Sequence, residues 1–518
     1  MFRFWSRCAD PPANLASLLI QTARRFPERP ALHWRDTTWT WAAFHARAQA
    51  AAGGLAARGV RHGDRILLHA RNSNAVLESM FAAWMLGATW VPTNFRLTPP
   101  EVAYLAVSSG ASVHIFDDAF PEHAAAAKAE NPACRLEISI PDGWETLATG
   151  DDKIARPADV DRDHPAWFFY TSGTTGHPKA GVLTHGQMEY VTCNHLCDLM
   201  PGTTEHDVSL VVAPLSHGAG VHALPQIARG AATVLMPSER FDVAEAWRLV
   251  EHHRVTNMFT VPTILTMLTR HESVDRYDHA SLRYVIYAGA PMYRADQVHA
   301  LEKLGPVLVQ YFGMGEVTGN ITVLPPSCHS VNDAEMPVGS CGFPRVGMDV
   351  TILDDNGAYL PPGTTGEICV RGPGVFAGYH DNPEATEKAT AHGWFHTGDL
   401  GHMDERGFVY ITGRASDMYI SGGSNVYPRE IEEVLLTHPA IAEACVVGMP
   451  HDKWGETGVA VLVLHEGMTI THETIAAHIE GQLARYKHPA SYVVWPELPK
   501  SGYGKVVKRD VKRLLEDT

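Results

Sequence analysis

Residues 170–181 read YTSGTTGHPKAG, which places five hydroxyl-bearing side chains, three glycines and one lysine in twelve positions. Hydroxyls, glycine N–H groups and an ammonium are the donors that phosphate oxygens accept from. Upstream, Pro165, Ala166, Trp167, Phe168 and Phe169 form an apolar, aromatic run that predicts a buried strand. Downstream, the pattern from Val182 onward is compatible with a helix. The expectation is a strand that breaks into a loop of donors and then a helix, a common way to meet phosphate. It is not the common P-loop, because Pro178 stands where that motif needs its second glycine. A solvated Ser/Thr/Gly linker is the plainer alternative, but the loop is closely bounded by segments that read as buried.

Other strings carry single reactive groups. QYFGMGEVTG (310–319) sets Glu316 near a strand end. A carboxylate buried there needs a cation, and the alternative is a surface turn. WFHTGDLGHMDERGFVYITGR (394–414) contains Asp399, whose carboxylate could accept both hydroxyl protons of a diol. LPKSGYGKVVKRD (498–510) puts Lys505 in a glycine-rich turn. Residues 484–513 hold eight Lys/Arg against two acids, in a chain of net charge -16. HGAGVHA (217–223) fits a weak dinucleotide fingerprint, spoiled by Pro214 before it and Pro225 after it. There is no Gly-x-Ser-x-Gly elbow and no His-Glu-x-x-His.

Taken together, these strings resemble the adenylate-forming superfamily of acyl-CoA synthetases, amino-acid-adenylating domains and luciferases, over nearly the whole chain. The resemblance implies that Thr171, Ser172, Gly173, Thr174, Thr175, Gly176 and Lys179 hold the phosphates of ATP. It implies that Gly289, Ala290, Pro291, Gln310, Tyr311, Phe312 and Gly313 line the adenine side, and that Asp399 and Arg414 hold the ribose. Glu316 is implied as the magnesium ligand and Lys505 as the adenylation lysine. His217, Gly218, Ala288, Gly289, Gly422 and Gly423 would line the acyl and CoA channel, and Ser416 would be the hinge. The chain departs from the family at four of these places. Phe312 replaces a tyrosine, and Gly315 replaces a threonine that contacts the α-phosphate. Ala180 stands where many members have glycine, and Ser416 where Asp or Lys is usual.

The implied reaction is AMP-forming acyl-CoA synthesis with ATP, Mg2+ and coenzyme A. The implied acid is a medium-chain fatty or aryl/phenylpropanoid monocarboxylic acid. The alternative is an acyl-AMP ligase that loads a carrier protein, and a nicotinamide dehydrogenase is a distant third. Amino acids are disfavoured. So are short dicarboxylates, because Tyr311 stands before Phe312 where malonate-activating relatives carry a cation. The small residues Gly218, Ala219 and Gly220 are expected to open a pocket for an alkyl or aryl chain.

The elements that must position these groups follow from periodicity. Strands are predicted at 66–70, 89–92 and 112–116 with helices at 74–86 and 100–108, then an acidic loop at 151–165. A second series has strands at 209–213, 232–236, 257–261, 284–288 and 307–310. This alternation argues for α/β layers with parallel sheet. Residues 339–413 read as short strands separated by Gly, Pro and Asp-Asn-Gly, an antiparallel or barrel-like piece. The fold class expected is α/β: residues 1–414 as a large AMP-binding domain with two sheet subdomains and the barrel-like piece, and residues 415–518 as a smaller mobile α+β domain.

A chain of 518 residues is long enough for several cores. Its acidity speaks against nucleic acid. Eight cysteines without a Cys-x-x-Cys favour a reducing compartment, and no stretch approaches a membrane span. A cytoplasmic enzyme of small molecules is expected, with a homodimer left open.

Overall fold

The computed structural model describes residues 14–171, 177–238, 240–290, 292–414, 416–421, 424–451, 453–500 and 506–517. Three sheets organise them. The first runs in the order Leu136–Ile140, Val113–Asp117, Arg65–His69, Thr89–Pro92, Pro165–Thr171, Lys179–Thr184. Its neighbours are parallel except the last pair. Its central strands are buried, as the apolar run Ile66–Leu67–Leu68 requires of a parallel sheet covered on both faces. The helix Asn74–Met85 is buried along its whole length, so it serves as core packing between layers and not as a surface element.

The second sheet has a parallel centre built from Tyr284–Tyr287, Asn257–Thr260, Val208–Val211 and Ala232–Leu235. Leu308–Phe312 joins beside Tyr284–Tyr287 in parallel. The far edge is supplied by the start of the chain: Pro30–Trp34 pairs in parallel with Ala232–Leu235 and antiparallel with Thr37–Thr40. The predicted strands of both series are present to within a residue or two.

Two expectations need correcting. Lys179–Thr184 is a strand, antiparallel to Pro165–Thr171, and the helix starts only at His185. Thr184 caps that helix in a capping box with Gln187. The donor loop therefore joins two strands of a hairpin and does not lead into a helix. The barrel-like piece is also open: Ser340–Pro344, Val409–Arg414, Phe395–Met403, Gly366–Arg371 and Asp349–Leu353 continue the second sheet antiparallel, and no pairing of described residues closes the series.

After Arg414 the chain turns, with the N–H groups of Asp417 and Met418 donating to the Arg414 carbonyl. A third sheet follows, made only of strands beyond residue 418, with its own core around Tyr419, Ile431, Leu435, Val446, Leu462 and Ile475. Its helices are Pro428–Leu435, His472–Ile479 and Lys508–Glu516. No described helix is long and apolar enough to cross a membrane.

Candidate active site

The hairpin register sets Thr171 directly opposite Lys179. Leu308–Phe312 is followed by a short turn, Gly315–Val317, that carries Glu316. The two meet: Thr171 Oγ1 donates to Glu316 Oε1 at 2.8 Å. A third segment closes the group. Residues 377–380 lie along the hairpin strand, with Val182 N–H donating to Gly378 O and His380 N–H donating to Ala180 O. This brings Tyr379 OH to Glu316 Oε1 at 2.9 Å, while Lys179 Nζ sits 5.3 Å from the centre of the Tyr379 ring. Burial, then the Glu316 charge, pushes the Tyr379 phenol well above its ordinary range. It therefore stays a neutral donor.

Glu316 is only 7% exposed, and no described cation pairs with it. A buried carboxylate satisfied only by two hydroxyls still has lone pairs to offer and charge to balance. That donor set suits a hard divalent cation held jointly with phosphate oxygens.

Gly315 has a local reason. A Cβ there would lie 2.6 Å from Phe169 Cδ1 and 2.7 Å from Thr171 Cγ2. The ring of Phe169 takes the space that a threonine would need, so this departure from the family and the aromatic strand before Thr171 belong together. Phe169 in turn meets the His217 ring edge-on, with centroids 4.9 Å apart.

Asp399 and Arg414 are cross-strand partners, joined from Arg414 Nε to Asp399 Oδ1 at 3.2 Å. Asp399 is 6% exposed. The strand carrying it is held by Glu367, which accepts from Gly398 N–H at 2.9 Å and lies 2.7 Å from His396 Nδ1. Gln310 is fixed by the Tyr287 hydroxyl at 3.1 Å from the neighbouring strand. Gly289 follows that strand with φ +86, the left-handed region that favours glycine. Ser172, Gly173, Thr174, Thr175, Gly176, Pro291, Gly422, Gly423 and Lys505 lie outside the described residues. On either side of residues 501–505, Lys500 and Val506 pair in an antiparallel bridge. Ser416 donates to Asp417 in the turn after Arg414.

The structure thus joins Thr171, Lys179 and Glu316 in one cluster and Asp399 with Arg414 in another. The comparisons with known proteins add to this. An AMP-binding enzyme family model matches residues 19–380, and an AMP-binding enzyme C-terminal domain model matches residues 430–505. The chain belongs to the AMP-binding enzymes.

Within that family it is similar to a feruloyl-CoA synthase of Amycolatopsis sp, with 38% identity over 96% of this chain and 99% of the relative. It is similar to an indoleacetate–CoA ligase of Aromatoleum aromaticum, with 34% identity over 96% and 95%. Among solved structures, ATP-bound MatB from Rhodopseudomonas palustris superposes with a TM-score of 0.89 at 29% identity, covering 98% of this chain and 99% of that one. The chain is an AMP-forming acid–thiol ligase.

The structure corrects one expectation for this AMP-binding enzyme, pairs up a charge run and adds a residue that sequence reasoning missed. Gly218 and Gly220 do not open space for a chain: a Cβ at Gly218 would lie 2.6 Å from Phe259, and one at Gly220 would lie 2.0 Å from the Leu215 carbonyl, while Ala219 lines a cavity of only about 10 Å3. Small residues here let the helix Gly218–Arg229 sit close to an aromatic wall. The basic run near the C-terminus is also largely neutralised, since Lys487, Lys500, Lys508, Lys512 and Arg513 each pair with a carboxylate. Lys508 and Glu432 are 2.6 Å apart and largely buried. Tyr379 was missed, and the Gly-Tyr pair in FAGYH (376–380) was the signal that could have found it.

Proposed function

We propose that this AMP-forming acid–thiol ligase activates an aryl or medium-chain monocarboxylic acid and passes it to coenzyme A. The observation that carries the reading is the Thr171–Glu316–Tyr379 cluster facing Lys179 across the hairpin. A carboxylate resists nucleophiles because of its charge. Attack of one carboxylate oxygen on the α-phosphorus of ATP forms a P–O bond and expels pyrophosphate. The thiol sulfur of CoA then attacks the acyl carbon, the thiol proton leaves, and AMP departs with the bonding electrons. Negative charge grows on phosphoryl oxygens in the first step, so fixed donors aimed at them are worth several kcal/mol. Thr171 and Lys179 would serve in that role, with Lys505 as the further cation. Asp399 and Arg414 would hold the ribose and so fix the α-phosphorus in line. Glu316 would hold magnesium, which when bound spreads the charge of the phosphates.

The domain boundary is placed at residues 414 and 415, in the turn before the third sheet, and Ser416 is the proposed hinge. A reducing, cytoplasmic setting fits seven described cysteines that are all free. Aryl acids rank first because the two relatives named above act on ferulate and indoleacetate. The test is a pyrophosphate-release screen with cinnamic, benzoic, indoleacetic and fatty acids, each with CoA and with a phosphopantetheinyl carrier protein as acceptor. AMP and a CoA thioester from an aryl acid are expected. Thioester only on the carrier would replace CoA as the acceptor, and a failure of every acid to release pyrophosphate would sink the reading.

A further inference from the structure

Across the paired strands Gly366–Arg371 and Phe395–Met403, three side chains with metal-binding atoms converge. Cys369 stands directly opposite His396 in the register, and Glu367 is two residues earlier on the strand of Cys369. Alternation along a strand puts Glu367 and Cys369 on one face. The pairing slips between them: Glu367 is opposite Leu400, so residues 397–399 face Ile368 alone. Bulges of this kind re-aim side chains, and this one carries Asp399.

A carboxylate oxygen of Glu367, the sulfur of Cys369 and a ring nitrogen of His396 all lie within 4.8 Å of one another, the one such group of three ligand atoms among the described residues. Glu367 Oε2 is 2.7 Å from His396 Nδ1, and Cys369 Sγ is 3.5 Å from the same nitrogen. Zinc bonds of about 2.3 Å to sulfur and about 2.0 Å to nitrogen, at a tetrahedral angle, set those two atoms about 3.5 Å apart. The thiol and the imidazole already stand at that separation, and the Glu367 oxygen would have to retreat by only about 0.6 Å.

The outer partners are those of a ligand set. His396 Nε2 lies 3.2 Å from the Ala391 carbonyl, and Glu367 Oε1 accepts from Gly398 N–H at 2.9 Å. Hydrogen bonds of this kind orient a metal-binding imidazole and carboxylate. With the Nε2 proton given to Ala391, Nδ1 turns its lone pair toward the Glu367 oxygen, and two lone pairs 2.7 Å apart need a proton or a metal ion between them. A shared proton would leave Cys369 without a role at the same nitrogen, whereas a metal ion uses all three atoms. Cys369 is fully buried, in an apolar cluster with Leu353 and Trp394. Burial, then the Glu367 charge, pushes its thiol up to about 12, and a coordinated metal ion would deprotonate it outright. The His396 and Glu367 side chains keep 18% and 28% of their surface exposed, which gives an ion a way in.

We propose that Glu367, Cys369 and His396 form a zinc site, with water in the fourth position, that clamps the bulge carrying Asp399. Its mixed sulfur, nitrogen and oxygen donors suit zinc, while the all-oxygen surroundings of Glu316 suit a harder cation. Binding forms Zn–S, Zn–N and Zn–O bonds and releases the Cys369 thiol proton, and any proton on His396 Nδ1, to solvent. Affinity therefore tightens as pH rises. The site stands whichever acid the enzyme activates.

The experiment titrates the full-length protein with Co2+, a coloured stand-in for zinc, and then displaces it with Zn2+. Wild type, Cys369→Ser, His396→Gln and a control at the exposed Cys193, Cys193→Ser, are compared. The wild type and the control should show a thiolate-to-cobalt charge-transfer band that saturates at one ion per chain. Cys369→Ser should abolish the band. Both site variants should weaken zinc by about 100-fold or more, beyond the cost of losing an outer partner. Zinc should raise the thermal midpoint of the wild type and leave that of both site variants unchanged. Melts without metal show that each variant is folded. The proposal is overturned if the wild type gives no thiolate band, or if the band survives in Cys369→Ser and so belongs to another cysteine. It is equally overturned if His396→Gln binds zinc as tightly as the wild type; a proton then joins Glu367 to His396, and Cys369 is only packing.

Discussion

The Glu316 cluster and the buried group around His222 treat polar groups in opposite ways. Around Glu316, Thr171 and Tyr379 already bond the carboxylate. Around His222, that ring and the His195 ring 4.6 Å away carry nitrogens that bond nothing in the protein. The first arrangement keeps its shape without substrate and suits a step common to every acid. The second leaves its donors and acceptors unmet, the costly state for buried polar groups. Buried polar groups thus give a fixed brace in one place and an unmet demand in the other, according to whether the fold supplies the hydrogen-bond partner.

The largest expected effect comes from acidification, which bears on the unmet buried histidines and not on the Glu316 brace. Burial lowers His69, His185 and His222 to about 3 each, well under the ordinary 6.5. Their folded form is neutral, so their contribution is complete above pH 6.5 and is lost as the pH falls toward 3. At pH 5 each should cost about 2 kcal/mol. The urea midpoint should drop steeply between pH 7 and pH 5, and a flat profile would show that these rings are solvated.

Next in size is Lys505→Ala. It should slow adenylation by roughly 10²–10³ while leaving thioester formation from a supplied acyl-adenylate intact. Equal loss in both half-reactions would remove Lys505 from its assigned role. Gly315→Thr comes third. The new side chain runs into Phe169 and Thr171, and overpacking of this kind costs about 1–3 kcal/mol. Adding Phe169→Ala should recover part of the loss in thermal melts, and strictly additive effects would mean that the two positions are not coupled. The smallest effect is Tyr379→Phe, which removes one hydrogen bond to Glu316 and should lower kcat/KM by about 10-fold. A loss as large as that of Lys505→Ala would make Tyr379 part of the chemistry and not a brace.

The α/β series at 65–117 and 208–312 was legible because buried parallel strands are short apolar runs with helix-period segments between them. The donor loop, Glu316 and Asp399 were legible because their strings are long and unusual. The strand Lys179–Thr184 was not, since an apolar run abutting a capped helix start reads equally well as helix. His222, Asn320 and Arg345 were invisible for a different reason. In the sequence, a buried polar residue looks like a surface one, and only the fold, with Phe259 and Tyr311 against His222 and Tyr311 against Arg345, reveals how deeply they are set.

The pairing of Pro30–Trp34 with Ala232–Leu235 has a consequence for how the chain is made. The early strand leaves the ribosome with its neighbour still roughly 200 residues from being synthesised. At about 5–20 residues per second that is a wait on the order of 10–40 s. Throughout it, a hairpin with an open apolar edge depends on chaperones, or on the helix that follows it, to avoid pairing with other nascent chains.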